Sequence, residues 1–328
     1  MYFILKRLGF YLLAAFVAIS VNFFLPRLTP GDPASAIFAT YSGTLTEGAL
    51  QSLRTAYGLT DDPLISQYFN YLGDVAKGDF GLSLSQFPSP VLEVIKGSIG
   101  WSALLGLVAI AMSFTIGSAL GALAAWRRGG FFDKVVPPAL LFLGSFPYFF
   151  LALLLFYVLA FQTGWFPMGR AYGSINPPGL TFSGIGDVIY HLVLPAGTIV
   201  LVSLGPWTLN MRNAMIGVLS EDHLTLAEAK GLPPRRVLWR HAVRTALLPN
   251  ITALGAAIGG VFSGQILTEI VFSYPGLGFI LMQAVRSVDY PLMQALFLII
   301  TLSVLAANFV VDTMYVLLDP RVRQGGEA

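Results

Sequence analysis

The chain contains no cysteine. Disulfide bridges and thiol chemistry are therefore excluded, and the redox compartment leaves no trace in the sequence. Charge is scarce as well: Asp, Glu, Lys and Arg together make up 11% of the 328 residues, against roughly a quarter in soluble domains. The three histidines, His191, His223 and His241, are too dispersed for an obvious metal cluster. No GxxxxGK[ST] loop is present to cradle nucleotide phosphates and no HExxH to hold zinc, and no pair of acids sits at catalytic spacing. The formal net charge of +2 is not pooled in a soluble segment, which removes the electrostatic case for nucleic acid as a partner. Composition thus describes a chain that is chemically inert by itself, not an enzyme, with no catalytic residue, bound cofactor or metal of its own.

What the chain has is apolar sequence, 55% of the total. Crossing the hydrocarbon takes about 20 apolar residues in a helix. Six runs meet that need: Leu8–Leu25, Trp101–Trp126, Val135–Phe161, Ile189–Leu209, Ile251–Val271 and Leu292–Leu318. The expected fold is an all-α integral membrane protein of six transmembrane helices in a lipid bilayer, with one sizeable external loop. Six spans put both ends of the chain on one side. Lys and Arg collect at Lys6–Arg7, Arg127–Arg128, Lys134, Arg212, Lys230, Arg235, Arg236, Arg240, Arg244, Arg321 and Arg323, all on the side of the N-terminus. The positive-inside rule makes that side cytoplasmic. Leu8–Leu25 exceeds the core of about 7–15 residues typical of a signal peptide, so it reads as a retained anchor.

Within the external stretch, Glu47–Tyr57 and Pro63–Ala76 have helical spacing, and Val91–Ile95 begins a helix that leads into the second span. Gly117 with Gly121, Gly255 with Gly259, and Gly260 with Gly264 form small-xxx-small pairs that let helix backbones approach. Packing is the ordinary reading of such pairs. Gly255, Gly259 and Gly264 in the fifth run, with Glu269 at its outer end, are the candidates for lining a transport pathway. Pro137, Pro138 and Pro147 in the third run, and Pro195 and Pro206 in the fourth, can kink those helices. Asp312 is the one acid well inside a run. Pairing with a nearby arginine is its structural reading, and an ion-coupling role is the functional one.

The stretch Ser220–Pro249 is polar and basic between two apolar runs. Ser220 suits an N-cap, with Glu221 and Asp222 favoured in the first turn by the helix dipole. Gly231 can stop that helix in the left-handed conformation, and Pro234 can open a second one, which Pro249 ends. Arg236, Arg240 and Arg244 share one face of it, while Leu238, Ala242 and Thr245 share a less polar one. Residue chemistry alone fits a loop held at the membrane surface by arginines just as well as a docking element.

This segment resembles the cytoplasmic EAA loop of ABC-transporter permeases. In the register set by Gly231, Ala227 takes the second alanine of the motif, Leu226 the first and Thr225 the glutamate. That departure, and the long gap from Gly231 to Leu248-Pro249, are similar to the dipeptide, oligopeptide and nickel branch. LTPGDPA (28–34), YGLTDDPLISQYFNYLGDVAKGDFGLSLS (57–85), VFSYPGLG (271–278), VDYP (288–291) and LLDPRVR (317–323) resemble stretches of the same permeases, in the same order. The resemblance implies a permease subunit of a binding-protein-dependent ABC importer in a bacterial or archaeal plasma membrane, carrying peptides, oligosaccharides or a nickel complex. It implies a second permease chain, two ATPase subunits that hold ATP and Mg, and an extracellular or periplasmic binding protein. It also implies that Thr225, Leu226, Ala227, Glu228, Ala229, Lys230, Gly231, Leu232, Arg236 and Arg240 transmit the work of the ATPase. The corresponding parts are an anchor helix (1–28), an external region (29–97), a five-helix core (98–318) with its coupling loop (212–249), and a cytoplasmic tail (319–328).

Two rivals carry less. An ion-driven secondary transporter would show inverted repeats and intramembrane charges, and the sequence offers no repeat and only Asp312. A membrane enzyme would need a reactive constellation. Gly184-Ile185-Gly186-Asp187 matches the GxGD string of intramembrane aspartyl proteases, but that chemistry needs a second aspartate within the membrane.

Overall fold

A computed structural model describes residues 2–28, 63–83, 85–173, 179, 181–261 and 265–318. In chain order these form α1 (Tyr2–Leu28), α2 (Leu64–Lys77), α3 (Val91–Trp126), α4 (Phe131–Gly144) and α5 (Tyr148–Gln162). There follow α6 (Phe182–Val218), α7 (Asp222–Ala229), α8 (Pro234–Gly259), α9 (Ile266–Val271), α10 (Leu277–Arg286) and α11 (Tyr290–Leu318). The fold is all-α, as expected. Five of these helices are long and apolar enough to cross a membrane, and α4 with α5 makes a sixth span if the bent pair is taken as one. The expected helix at Glu47–Tyr57 lies outside the described residues.

Prolines act unequally. The third span breaks by 94° between α4 and α5, where Pro147 is the residue before α5. Pro137 and Pro138 leave α4 unbroken, and Pro195 and Pro206 leave α6 unbroken. Pro206 cannot bond the carbonyl of Val202 four residues back. That carbonyl faces Gly144 of α4, close enough that a Cβ there would lie 2.9 Å from it.

The chain folds as two compact units, with α3 divided between them after Ser102. The first holds residues 1–102, 262–266 and 275–328. In it α1 packs along α11. Asn22 Nδ2 donates to the Gln294 carbonyl at 3.0 Å, and Gln294 Nε2 donates back to the Asn22 carbonyl at 3.2 Å. Farther along the same pair, Arg7 forms an ion pair with Asp312, which also accepts the Tyr11 hydroxyl at 2.7 Å. The lone intramembrane acid of the sequence is thus engaged by an arginine, in line with its structural reading. Across α1 lies α2, through Ser20–Tyr68 (2.6 Å) and Asn22–Tyr71 (3.0 Å). Leu64, Ile65 and Phe69 of α2 remain exposed.

The start of α3 packs on α10 and α11 through Val91, Ile95, Leu277, Leu281, Leu292 and Leu296. Asp289 closes this region. Fully buried, its carboxylate accepts the Ser83 hydroxyl (2.6 Å), the Ser85 amide (2.9 Å) and the Ser85 hydroxyl (2.8 Å). It also caps α11 by accepting the Leu292 amide at 3.2 Å. Asp289→Ala should leave several of these donors without an acceptor, at about 1–3 kcal/mol for each group that water cannot reach. Hydrogen exchange should then accelerate at the Ser85 and Leu292 amides, and unchanged protection there would contradict the assignment.

The second unit holds residues 103–261 and 267–274. Gly117 and Gly121 bring α3 onto α6, as their spacing suggested: a Cβ on Gly117 would meet Trp207 Cβ at 2.5 Å, and one on Gly121 would meet the Thr208 carbonyl at 2.3 Å. The α8 helix joins them through a buried bond from Asn250 Nδ2 to Ser118 Oγ at 3.1 Å. The GxGD string falls in α6, whose first turn is capped by Thr181 through the Gly184 amide. There Asp187 accepts the Gly173 amide and lies 3.7 Å from His191 Nδ1.

Candidate coupling site

The site is built at the end of α6. That helix continues through Arg212 to Val218 before the chain turns, well past the expected end of the apolar run at Leu209. Consequently Ser220 does not cap α7. Its hydroxyl donates at 2.7 Å to the Gly217 carbonyl in the last turn of α6, which also accepts the Ser220 amide at 3.3 Å. Glu221 takes the cap position without a side-chain bond to the helix, and its carboxylate lies 3.0 Å from His223 Nδ1.

The stop of α7 is as expected. Gly231 has φ +71°; its amide donates to the Glu228 carbonyl at 2.8 Å, and the Leu232 amide reaches the Ala227 carbonyl at 3.4 Å. Pro233 follows, and Pro234 is the first residue of the next helix. That helix does not end at Pro249. It runs on to Gly259 with a π-helical stretch at Val237–Ala242. The bond lost at Pro249 is outweighed by burial of Val243, Ala246 and Asn250 on the flanking turns, since tertiary packing decides helix stability. The basic segment is therefore the beginning of the fifth span, not a separate short helix.

An apolar cluster seats α7. Leu224 and Ala227, one turn apart, are 3% and 5% exposed. They pack among Met211, Met215 and Val218 of α6, Ala122 and Ala125 of α3, and Val237, Leu238 and Ala242 of α8. The remaining residues face outward: Thr225, Leu226, Glu228, Ala229, Lys230 and Gly231 are exposed, and Leu232 is half-buried. Leu226 is 56% exposed, a large apolar side chain on a polar face. Beside it, Arg236, Arg240 and Arg244 are exposed while Leu238 and Ala242 are buried, as the periodicity predicts. A shallow recess is lined by Pro233, Arg235, Arg236 and Trp239. Its aromatic wall, Trp239, is 43% exposed.

The pathway candidates are scattered. Gly255 is half-buried and Gly259 buried. Gly264 lies outside the described residues. Glu269 is not part of the fifth span. The span stops at Gly259, with Gly260 as its cap, and Glu269 falls in the separate short helix α9. Its side chain is 2% exposed, and its carbonyl accepts the Tyr274 amide at 2.8 Å. Among the described residues no three His, Asp or Glu side chains converge on a possible metal position.

Sequence reasoning missed one pair here. Arg212, read as a topological charge, forks onto Asp133 in the first turn of α4. The available signal was an acid inside an otherwise basic turn, Arg127, Arg128 and Lys134.

Residues 117–324 match the profile of the family described as "Binding-protein-dependent transport system inner membrane component". The chain is 35% identical over 301 residues to a probable peptide ABC transporter permease protein of Sinorhizobium fredii, covering 92% of each. It is 35% identical over 339 residues to the di/tripeptide transport system permease protein of Pseudomonas aeruginosa, covering 98% of each. To the oligopeptide transport system permease protein of Haemophilus influenzae it is 32% identical over 321 residues, covering 98% of this chain and 99% of the relative.

Proposed function

Because the chain belongs to the binding-protein-dependent transport system inner membrane component family, and so is the inner-membrane permease subunit of an ABC importer and not itself an enzyme, we propose that its cargo is short peptides or a chemically related solute. It works beside a second, similar permease chain, two ATPase subunits that carry ATP and Mg, and an external substrate-binding protein. Both termini and the loop bearing α7 are cytoplasmic, and residues 29–97 form the external region. The coupling element is α7 with Gly231, Leu232, Arg236 and Arg240, inside the broader 212–249 segment. Gly255, Gly259, Gly264 and Glu269 are the pathway candidates.

One observation supports the coupling role above the others. The two faces of α7 are assigned to different tasks: Leu224 and Ala227 anchor it in the chain's own core, while Leu226 is presented outward on a helix with a fixed stop. Such a helix transmits a push as a unit. When nucleotide binding closes the ATPase pair, α7 moves with its groove and the bundle changes the side to which it opens. The ion-driven reading is not favoured, since Asp312 is occupied by Arg7 and Tyr11.

Leu226→Lys tests this assignment. It alters an exposed side chain, so membrane insertion should stay at the wild-type level, whereas co-purification with the ATPase subunits and uptake of labelled dipeptide should both fall, by about tenfold for each 1.4 kcal/mol of docking energy removed. Undiminished ATPase retention would defeat the docking role of this face. Uptake that proceeds without ATPase subunits would defeat the importer reading itself.

A further inference from the structure

On the side of the bundle that carries α7, a charge pair ties α6 to α4. Arg212 directs Nε to Asp133 Oδ1 and Nη2 to Oδ2, the latter at 2.9 Å. The same Oδ2 accepts the Gly129 amide at 2.9 Å. Asp133 is 8% exposed. A two-pronged guanidinium–carboxylate contact fixes direction as well as distance. Farther along these two helices the backbones touch. A Cβ on Gly205 would lie 2.9 Å from the Leu140 carbonyl, and one on Gly144 would lie 2.9 Å from the Val202 carbonyl. Helix α4 is therefore fastened to α6 near both ends, by charge at Asp133 and by close backbone contact up to Gly144. Arg212 adjoins Met211 and precedes Met215 by one turn, and both methionines are fully buried in the cluster beneath Leu224 and Ala227. Just past Gly144 comes the 94° break.

We propose that the Asp133–Arg212 pair is a positioning brace, which makes α4, α6 and the seat of α7 move as one body and so delivers the displacement of α7 to the break at Pro147. Without it, α4 can slip against α6 and part of that displacement is lost. The inference rests on the reading of α7 as the coupling helix. Stability alone is a weak account of the pair: Asp133 is buried and Arg212 half-buried, and neither exposed nor buried ion pairs reliably add net stability.

The test uses the assembled transporter, with its ATPases and binding protein, in proteoliposomes. The readout is dipeptide moved per ATP hydrolysed, a ratio that does not depend on how much protein survives purification. Arg212→Lys keeps the charge and gives up the fork, and D133N/R212Q removes both charges while leaving an amide at each position. Each variant should retain its ATPases and hydrolyse ATP, yet dipeptide per ATP should fall, by about twofold to thirtyfold for an element on a coupling route, with the lysine variant between wild type and the neutral pair. An unchanged ratio in the assembled Arg212→Lys protein overturns the brace, even if yield or thermal stability drops. If the wild-type chain itself takes up no ATPase, the coupling reading fails and the brace falls with it.

Discussion

Ala227→Asp is expected to abolish ATP-driven uptake while the chain still inserts in the membrane. Ala227 faces Met211, Met215, Val237 and Leu238 in the apolar cluster beneath α7. A carboxylate placed there would sit among apolar side chains. Leaving a buried charge unpaired costs about 3–5 kcal/mol. Burial of Leu224, the other anchor of the helix, returns only about 1.5–3 kcal/mol. The cheaper outcome is for α7 to leave its seat, with the spans behind it intact. Three measurements separate the cases: membrane extraction for insertion, co-purification for ATPase docking, and labelled dipeptide for uptake. Wild-type uptake in a correctly inserted variant would falsify the lever. Gly231 offers a graded companion. Proline cannot adopt its φ of +71° and would remove the amide that bonds Glu228. Alanine there meets no atom within 4 Å, so it carries only the left-handed backbone penalty of roughly 1–2 kcal/mol and should transport at a reduced rate.

Gly121→Leu should prevent the second unit from forming, and even Gly121→Ala should lower its melting temperature in detergent. The Cβ of alanine would lie 2.3 Å from the Thr208 carbonyl, 2.8 Å from Met211 Cβ and 2.9 Å from the Arg212 amide. Two of these neighbours are backbone and cannot rotate away. The helices must separate, and overpacking of this kind costs about 1–3 kcal/mol for small insertions. Gly217→Ala supplies the control, because its Cβ meets nothing within 4 Å and alanine favours the helix by about 1 kcal/mol. If Gly121→Ala and Gly217→Ala melt together, α3 and α6 do not touch as described.

The features read correctly from sequence are those with local causes. Gly231 stops α7 because left-handed backbone is a property of glycine itself. Pro147 marks the break, and the Leu238–Ala242 stripe is buried as its spacing requires. Helix ends were misread because charge marks where water begins, not where hydrogen bonding stops. Arg212 and the Arg236–Arg240 turn are polar yet helical, so α6 and α8 reach farther than their apolar runs. Ser220 closes α6 instead of opening α7 for the same reason. Partners were invisible: Asp133 and Arg212 stand 79 residues apart, and neither side chain announces the other. Pro137, Pro138, Pro195 and Pro206 show the converse limit, since each sits inside an unbroken helix.

The clasp of Arg7 and Tyr11 on Asp312 sets a condition on biogenesis. Tyr11 and Asp312 stand 301 positions apart, so this contact of α1 can form only after α11 has been synthesised. Until α11 has been made, that clasp cannot close. A nascent chain cut short of Asp312 never forms the clasp, and membrane proteases should clear it faster than the full chain.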